Sequence, residues 1–403
     1  MVDATAPSEN NALLRHAAAT GNATTAVVLA ASCDALSAYG KFTTIHAPAQ
    51  SPEWVAAWIE TSKPDAILAT LSANGRPVMS LALEVVREGP FRIARFLGGK
   101  HANGNFPAAD RNWLAAASAD DISVLVRAIG TARPDIDLVA FDRLFSDLDG
   151  LPNPLLRLPS APSPNLALAV DLDGGFERVL TRTSGKKKRK RHRSQERKYE
   201  ALGGARRTMA TTTVEANAML DAFFAMKEQR FGAMGITDVF AETNVRTFFR
   251  KLFVDALARE HPSFVLHGLE VGGKYRAVTG SSRAGNRLIC EFGAISDDEL
   301  AHASPGEYLF FDNISEACGQ GFGVYDFSVG DEPYKRQWCD LEIQHADVLA
   351  PLTAKGRVYA LGLRSLSRAK SVVKNNDRMW ALIKRLRSGV RGKPAAAAPP
   401  EED

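Results

Sequence analysis

Strand-length apolar runs alternate along this chain with stretches whose apolar residues recur every three or four positions. These are the two periods of half-buried strands and amphipathic helices. In the first part, 26–30 reads as a strand and 34–38 as a short helix. Ser51 caps and Pro52 starts a helix with Val55, Trp58 and Ile59 on one face and Trp54 beside them. Runs at 66–71 and 77–86 flank Asn74-Gly75, a strong hairpin signal, and 91–97 adds a third strand. The pattern then predicts a helix over 111–117, a strand over 122–126 and a helix over 137–147.

A second block repeats this mixture. A strand at 166–170 precedes helices at 212–226 (Met219, Phe223, Met226) and 245–257 (Phe248, Phe249, Leu252, Phe253). A hairpin follows, 264–270 and 274–280 around Gly272-Gly273, and then a strand at 287–295. Ser304 reads as an N-cap and Pro305 as the first residue of a helix that Gly319 and Gly321 end. A strand at 324–327 closes a β-α-β unit whose helix start offers unpaired N–H groups, a natural seat for a phosphate. Beyond it the pattern predicts a strand over 358–363 and a basic amphipathic helix over 366–388 whose Val372, Val373, Met379, Trp380, Ile383 and Leu386 dock on the second half or lie on an anionic membrane surface.

Domain organisation follows from these blocks. Residues 1–22 form a flexible start and 23–150 the first half. The segment 151–165, with prolines at 152, 154, 159, 162 and 164, reads as a linker. Residues 166–365 form the second half, including a basic helix at 186–202; a helix at 366–390 and a disordered tail at 391–403 end the chain.

Composition is that of an ordinary globular protein: 45% hydrophobic and 24% charged over 403 residues. The net charge of +4 is too small to imply a polyanion partner for the whole chain. The charge gathers in Lys186-Lys187-Lys188-Arg189-Lys190-Arg191-His192-Arg193, where Tyr199 is the one aromatic nearby. That favours a solvated helix with an anion-facing side over a nucleic-acid surface. The four cysteines lack a C-x-x-C pair, which argues against a zinc site or disulfide framework and fits a reducing compartment. The sequence shows no signal peptide and nothing near the ~20 apolar residues that span a bilayer, so the expectation is a soluble cytoplasmic protein.

The motif Ser304-Pro305-Gly306-x-x-Leu309, a helix, then Gly321-x4-Asp326-Phe327-x2-Gly330-Asp331-Glu332-Pro333-Tyr334-Lys335 and Trp338 resembles a known signature. It is similar to that of the GNAT-related acetyltransferases associated with cellulose biosynthesis, the CelD-like group, whose half-fold is shared with FemAB-like aminoacyl transferases. The basic run ending in Leu202-Gly203-Gly204 and Arg230-Phe231 resemble the same group. The resemblance implies an α/β (α+β) fold of tandem GNAT-like halves, each with a mixed, mainly antiparallel sheet. It also implies acetyl-CoA as acyl donor and transfer to an amine or hydroxyl of a small molecule or glycan, such as a polysaccharide or cell-envelope precursor.

On that resemblance, Ser304, Gly306 and Glu307 hold the donor pyrophosphate through backbone N–H groups, with Lys335 as a further phosphate contact. The general GNAT loop Q/R-x-x-G-x-G/A is absent before the helix. Acid–base candidates are Glu291 on the strand before the loop, Asp326 at the end of the strand after the helix, and Asp331, Tyr334 and Lys335 beyond it. The plain alternatives are that Asp326 caps a turn or pairs with Arg336 and that Tyr334 is packed. No H-E-x-x-H, G-x-S-x-G or P-loop occurs, so neither a metal nor a nucleotide-hydrolysing site is expected. Two other functions compete: a FemAB-like aminoacyl transferase using charged tRNA, and a non-catalytic member of an envelope or polysaccharide synthesis complex.

Overall fold

The computed structural model describes residues 24–374. The expectations for 1–22, for Met379, Trp380, Ile383 and Leu386, and for the tail 391–403 lie outside the described residues.

The chain makes the same unit twice. The first copy begins with β1 (Thr24–Ala30), α1 (Cys33–Ala38), α2 (Pro52–Ser62), β2 (Ala66–Ala73), β3 (Arg76–Glu88) and β4 (Phe91–Phe96). It continues through the short β5 (Ala108–Ala109) and α3 (Arg111–Leu114) to α4 (Ala119–Ala132) and β6 (Leu138–Leu144). The two-residue strands β7 (Asp147–Leu148) and β8 (Leu151–Pro152) then lead to β9 (Ser160–Asp171). Two helices, α5 (Gly175–Arg182) and α6 (Gly185–Glu200), separate the copies. The second copy opens with β10 (Ala205–Met209), α7 (Thr213–Met234), α8 (Thr243–Ala256), β11 (Phe264–Val271) and β12 (Lys274–Ala284). It closes with β13 (Arg287–Ile295), α9 (Pro305–Gly319), β14 (Val324–Val329), α10 (Pro333–Arg336) and β15 (Leu341–Pro351). A last helix, α11 (Ala354–Lys374), follows.

All but β7 and β8 join one 13-stranded sheet, in the order β1-β2-β3-β4-β6-β15-β9-β14-β13-β12-β11-β10, with β5 on β3. The expectation of one sheet in each half is therefore refined: the halves share a single sheet. They are joined by exchange. β9 completes the first copy in sequence but pairs with β14 of the second, while β15 pairs with β6 of the first. β9 and β15 also pair with each other, antiparallel, at the centre.

Each half contains one parallel pair, β4 with β6 and β13 with β14, and each pair is short. The β13–β14 register stops at Ile289 opposite Asp326, and beyond it the strands splay apart. The cores cross the junction as well. Trp54 and Trp58 of α2 pack edge-on against Phe248 of α8, with centroids 4.8 and 4.9 Å apart. Ile289 of the second half joins the apolar cluster of the first.

Four local expectations fail. Residues 122–126 are helical, inside α4, because Ser118 and Asp121 form a capping box that starts a helix ahead of the β-branched run. Residues 138–144 form β6, not a helix; it lies mid-sheet with most residues buried, so it lacks the alternation that marks a strand. Residues 358–363 are helical, inside α11, whose first turn is held by Gly356 N–H donating to Thr353 Oγ1 at 3.0 Å. The prolines of 151–165 do not make a free linker, since 160–165 are the first half of β9.

Candidate functional site

Glu291 stands out on β13. The β12–β13 register passes from Gly280↔Phe292 to Ser281↔Cys290, leaving Glu291 as the extra residue of a bulge. A bulge re-aims side chains, and the packing records it. Leu288 and Cys290 belong to the apolar cluster on the α9 side, while Phe292 belongs to the cluster under α7 and α8. Gly280 makes room for this, because a Cβ there would overlap the Phe292 ring.

Glu291 keeps some solvent contact although protein surrounds its carboxylate, as for a group on the floor of a cleft. Ser282 Oγ donates to Oε1 at 2.5 Å and Asn103 Nδ2 reaches Oε2 at 3.4 Å. Burial pushes its pKa up to about 8; the two donors pull it down and the charge of Asp326 pushes it further up. A carboxyl poised there can take a proton from an amine or hydroxyl acceptor near neutral pH.

Asp326, across the splay, is 1% exposed. It accepts from Arg287 Nη1 at 2.9 Å and from the Ser328 N–H at 2.7 Å. Its partner is Arg287 rather than Arg336, which pairs with Asp331 and Glu342. Tyr334 is 45% exposed and stacks on Phe310 with centroids 5.8 Å apart; partial desolvation of its hydroxyl raises its pKa, so it stays a proton donor. The structure thus gathers Glu291 and Asp326 at the splay, with Tyr334 on α10 beside Phe327 of β14.

The helix α9 begins beside the same splay. Ser304 does not cap it: the residue is left-handed (φ 52) and makes no side-chain cap bond. Its Oγ instead accepts from Arg191 of α6 at 3.0 Å, and Arg191 also pairs with the Glu307 carboxylate at 2.9 Å. Ser304 and Glu307 have capping-box spacing, yet one guanidinium draws both side chains off the helix end. The N–H groups of Glu307 and Tyr308 donate to the Ser304 carbonyl. That leaves Gly306, whose N–H has no protein acceptor among the described residues, as the amide facing outward. A Cβ on Gly306 would lie 2.6 Å from Ile295 Cγ2, so glycine keeps this approach close.

Lys335 has its donors engaged elsewhere. It is 4% exposed, its Nζ donates to the carbonyls of Ser328, Val329 and Gly330 at 3.1–3.4 Å, and it pairs with Glu332 at 2.8 Å. Four acceptors use its donors, so it ties the 328–332 turn instead of holding a phosphate.

The basic segment is a helix, α6, as expected. Its inward face is Gly185, Lys188, His192, Gln195 and Tyr199. Gln195 and Tyr199 donate to the Ala303 carbonyl, and His192 stacks on Tyr308. Lys186, Lys187, Lys190 and Arg193 face solvent.

The first half lacks these parts. By register Leu97 stands where Glu291 does and Ala140 where Asp326 does. Phe96 and Phe141 meet in that splay at 5.7 Å, and the capping box of Ser118 and Asp121 closes the start of α4.

Sequence reasoning missed Ser282, Asn103, Arg287 and His345. His345 of β15 is 1% exposed, lies near Asp326 and has no protein hydrogen-bond partner on either ring nitrogen among the described residues. Burial pushes its pKa down to about 4. No local motif marks any of these: Asn103 and Arg287 meet carboxylates 188 and 39 residues away, and Ser282 meets Glu291 only through the register of β12 on β13. Among the described residues no His, Cys, Asp and Glu side chains group as a metal requires, and no helix is long and apolar enough to cross a membrane.

Residues 186–336 match the family described as acetyltransferase (GNAT) domain. Among solved structures, FemX aligns over 83% of this chain and 99% of its own at 10% identity and a TM-score of 0.53. L-PGS from Bacillus licheniformis aligns over 84% and 96% at 11% identity and a TM-score of 0.51. A tandem GNAT protein from the clavulanic acid biosynthesis pathway covers 82% and 99% at 13% identity and a TM-score of 0.44. No curated protein sequence matches significantly. The fold is α/β with one large mixed sheet, and its second half is GNAT-like.

Proposed function

We propose that the second half is an acyl-CoA-dependent transferase, with acetyl as the acyl group, acting on an amine or hydroxyl acceptor. A sugar, polysaccharide or cell-envelope precursor fits that acceptor class, following the CelD-like resemblance of the 304–338 motif. The observation that carries the reading is the pairing of two features at one splay: a bulged, proton-accepting Glu291 and a helix start kept open by Arg191.

The donor would lie in the splay with its pyrophosphate at the Gly306 N–H, where the helix dipole and Arg191 favour negative charge. Glu307 would yield Arg191 to it. On the opposite sheet face, Glu291 takes the proton as the acceptor nitrogen or oxygen attacks the thioester carbonyl carbon. The C–S bond breaks as the new bond forms, and the leaving sulfur gains a proton, for which the Tyr334 hydroxyl is the candidate donor. Asp326, fixed by Arg287, sets the local field rather than moving a proton.

Thermal stabilisation by CoA and acetyl-CoA tests the donor. The expected result is a rise in Tm that Gly306→Asp abolishes, because its side chain both crowds Ile295 and sets a carboxylate at the phosphate seat. No shift with any acyl-CoA would overturn the reading.

A second reading has one observation in its favour. The outward row Lys186, Lys187, Lys190 and Arg193 suits a polyanion, as aminoacyl transfer from charged tRNA requires. Tight, salt-sensitive tRNA binding lost on neutralising those four residues, with no CoA effect, would favour it.

A further inference from the structure

We infer that Asn103, contributed by the first half, is a positioning residue for Glu291, so that the two halves build one site across their junction. The inference rests on the reading of Glu291 as proton acceptor and adds a role for the half whose own splay holds Leu97 and Ala140 in place of the two carboxylates.

The geometry is a relay of fixed groups. Asn103 Nδ2 reaches both the Glu291 carbonyl at 3.3 Å and its carboxylate at 3.4 Å, across 188 residues of sequence. Bonds of that length are weak singly, so what matters is how firmly the amide is aimed. Its oxygen accepts from Arg143 Nη1 at 3.2 Å, which fixes the NH2 group toward Glu291. The same nitrogen donates to the carbonyls of Lys100 and Ala102 at 3.2 Å, gathering the loop that carries Asn103. Arg143 itself is left-handed (φ 53), a costly conformation for a residue with a side chain. Its N–H is held by Asp347 Oδ1 at 2.8 Å, and Asp347 lies on β15, the strand that crosses over from the second half. The line therefore starts on the second half's last strand, passes through the first half and returns to the second half's candidate base.

Other groups act on Glu291 as well. Asp326 of β14 raises its proton affinity while Ser282 of β12 lowers it. Cys290 is its neighbour on β13, with Lys227 of α7 and Lys335 acting on that thiol. His345 of β15 lies on the Asp326 side, near Arg287 and Arg143. Against this fixed background Asn103 stabilises the ionised carboxylate, and its removal raises the proton affinity.

A purely structural role for Asn103 would lower Tm without moving the titration of Glu291, so that titration is the measurement to make. Full-length protein labelled with carbon-13 at glutamate Cδ is titrated by NMR, with Glu291→Gln assigning the resonance. In Asn103→Ala and Asn103→Asp the midpoint is expected to rise by half a unit or more, about a threefold or larger gain in proton affinity. Arg143→Gln, which frees the amide without removing it, is expected to move it the same way by less. Folded Asn103 variants whose Glu291 midpoint stays within 0.2 units (about 1.6-fold) of wild type would overturn the inference. The titration needs neither acceptor nor turnover, so it is separate from the fate of the acyl-transfer reading. That reading falls instead if acyl-CoA fails to bind or if Glu291→Gln transfers acetyl at the wild-type rate.

Discussion

At the scale of single residues, Glu291 sets function against stability. Its ordinary carboxyl pKa of 4.5 is raised to about 8 in the folded chain, so between those values the fold holds a proton that the unfolded chain has lost. Stability is therefore present below the unfolded value and falls as pH rises through the window. Wild-type Tm should decline from pH 5 to 9 more steeply than that of Glu291→Gln, which should be the more stable by about 1–3 kcal/mol above pH 8. The same substitution should slow acetyl transfer about 10²–10⁴-fold while leaving the CoA-induced Tm shift in place. An unchanged Tm slope would mean that the carboxyl is better solvated than its surroundings imply. Lys335 is the contrasting case. Lys335→Met leaves the 328–332 carbonyls and Glu332 without their cation and should cost about 2–4 kcal/mol in urea unfolding. CoA affinity of the folded fraction should stay at the wild-type level; a selective loss of affinity would return Lys335 to the donor site.

At the scale of elements, the bulge is the part most open to test. Gly280→Ala places a methyl in the Phe292 ring, and relief requires the bulge to shift. The expected cost is about 1–3 kcal/mol, read from the denaturation midpoint, with a larger fractional loss of transfer activity than of CoA binding. Undiminished activity would show that the bulge does not aim Glu291.

Elements also show what could be read in advance. The hairpins around Asn74-Gly75 and Gly272-Gly273, the two helices α7 and α8, and the whole run from β13 to β14 follow from periodicity and turn residues. The misreadings share a cause. Residues 122–126 and 358–363 are apolar runs too short to show a period, so a preceding cap, Ser118 or Thr353, decides them as helix. β6 loses its alternation because both faces are covered. Glu291 and Asp326 were legible as carboxylates on strands that flank one helix. The bulge that frees one and the arginine that fixes the other were not, because each depends on register with another strand. Asn103 had no signal at all: what makes it matter is a contact 188 residues away.

At the scale of the whole molecule, exchange of β9 and β15 makes the halves one unit. Unfolding should be a single transition by calorimetry and tryptophan fluorescence alike, since α2 packs on α8 across the junction and β9 and β15 are exchanged between the halves. Ending the chain after Asp340 removes β15, bares β6 and β9 together, and should give insoluble protein. A cut at Gly203-Gly204, in an exposed turn, leaves each fragment holding the other's last strand, so the pieces should run as one complex on size exclusion. Fragments that separate and stay soluble would refute this account of the junction.

The exchange also puts a clock into synthesis. β6 ends at Leu144, but the strand that covers its edge begins at Leu341. At about 5–20 residues per second, those roughly 200 residues take on the order of 10–40 s to emerge from the ribosome. Throughout that interval the nascent first half carries an open sheet edge that waits for β15. A stalled ribosome, or a neighbouring nascent chain offering its own β15, would turn that wait into entanglement between molecules.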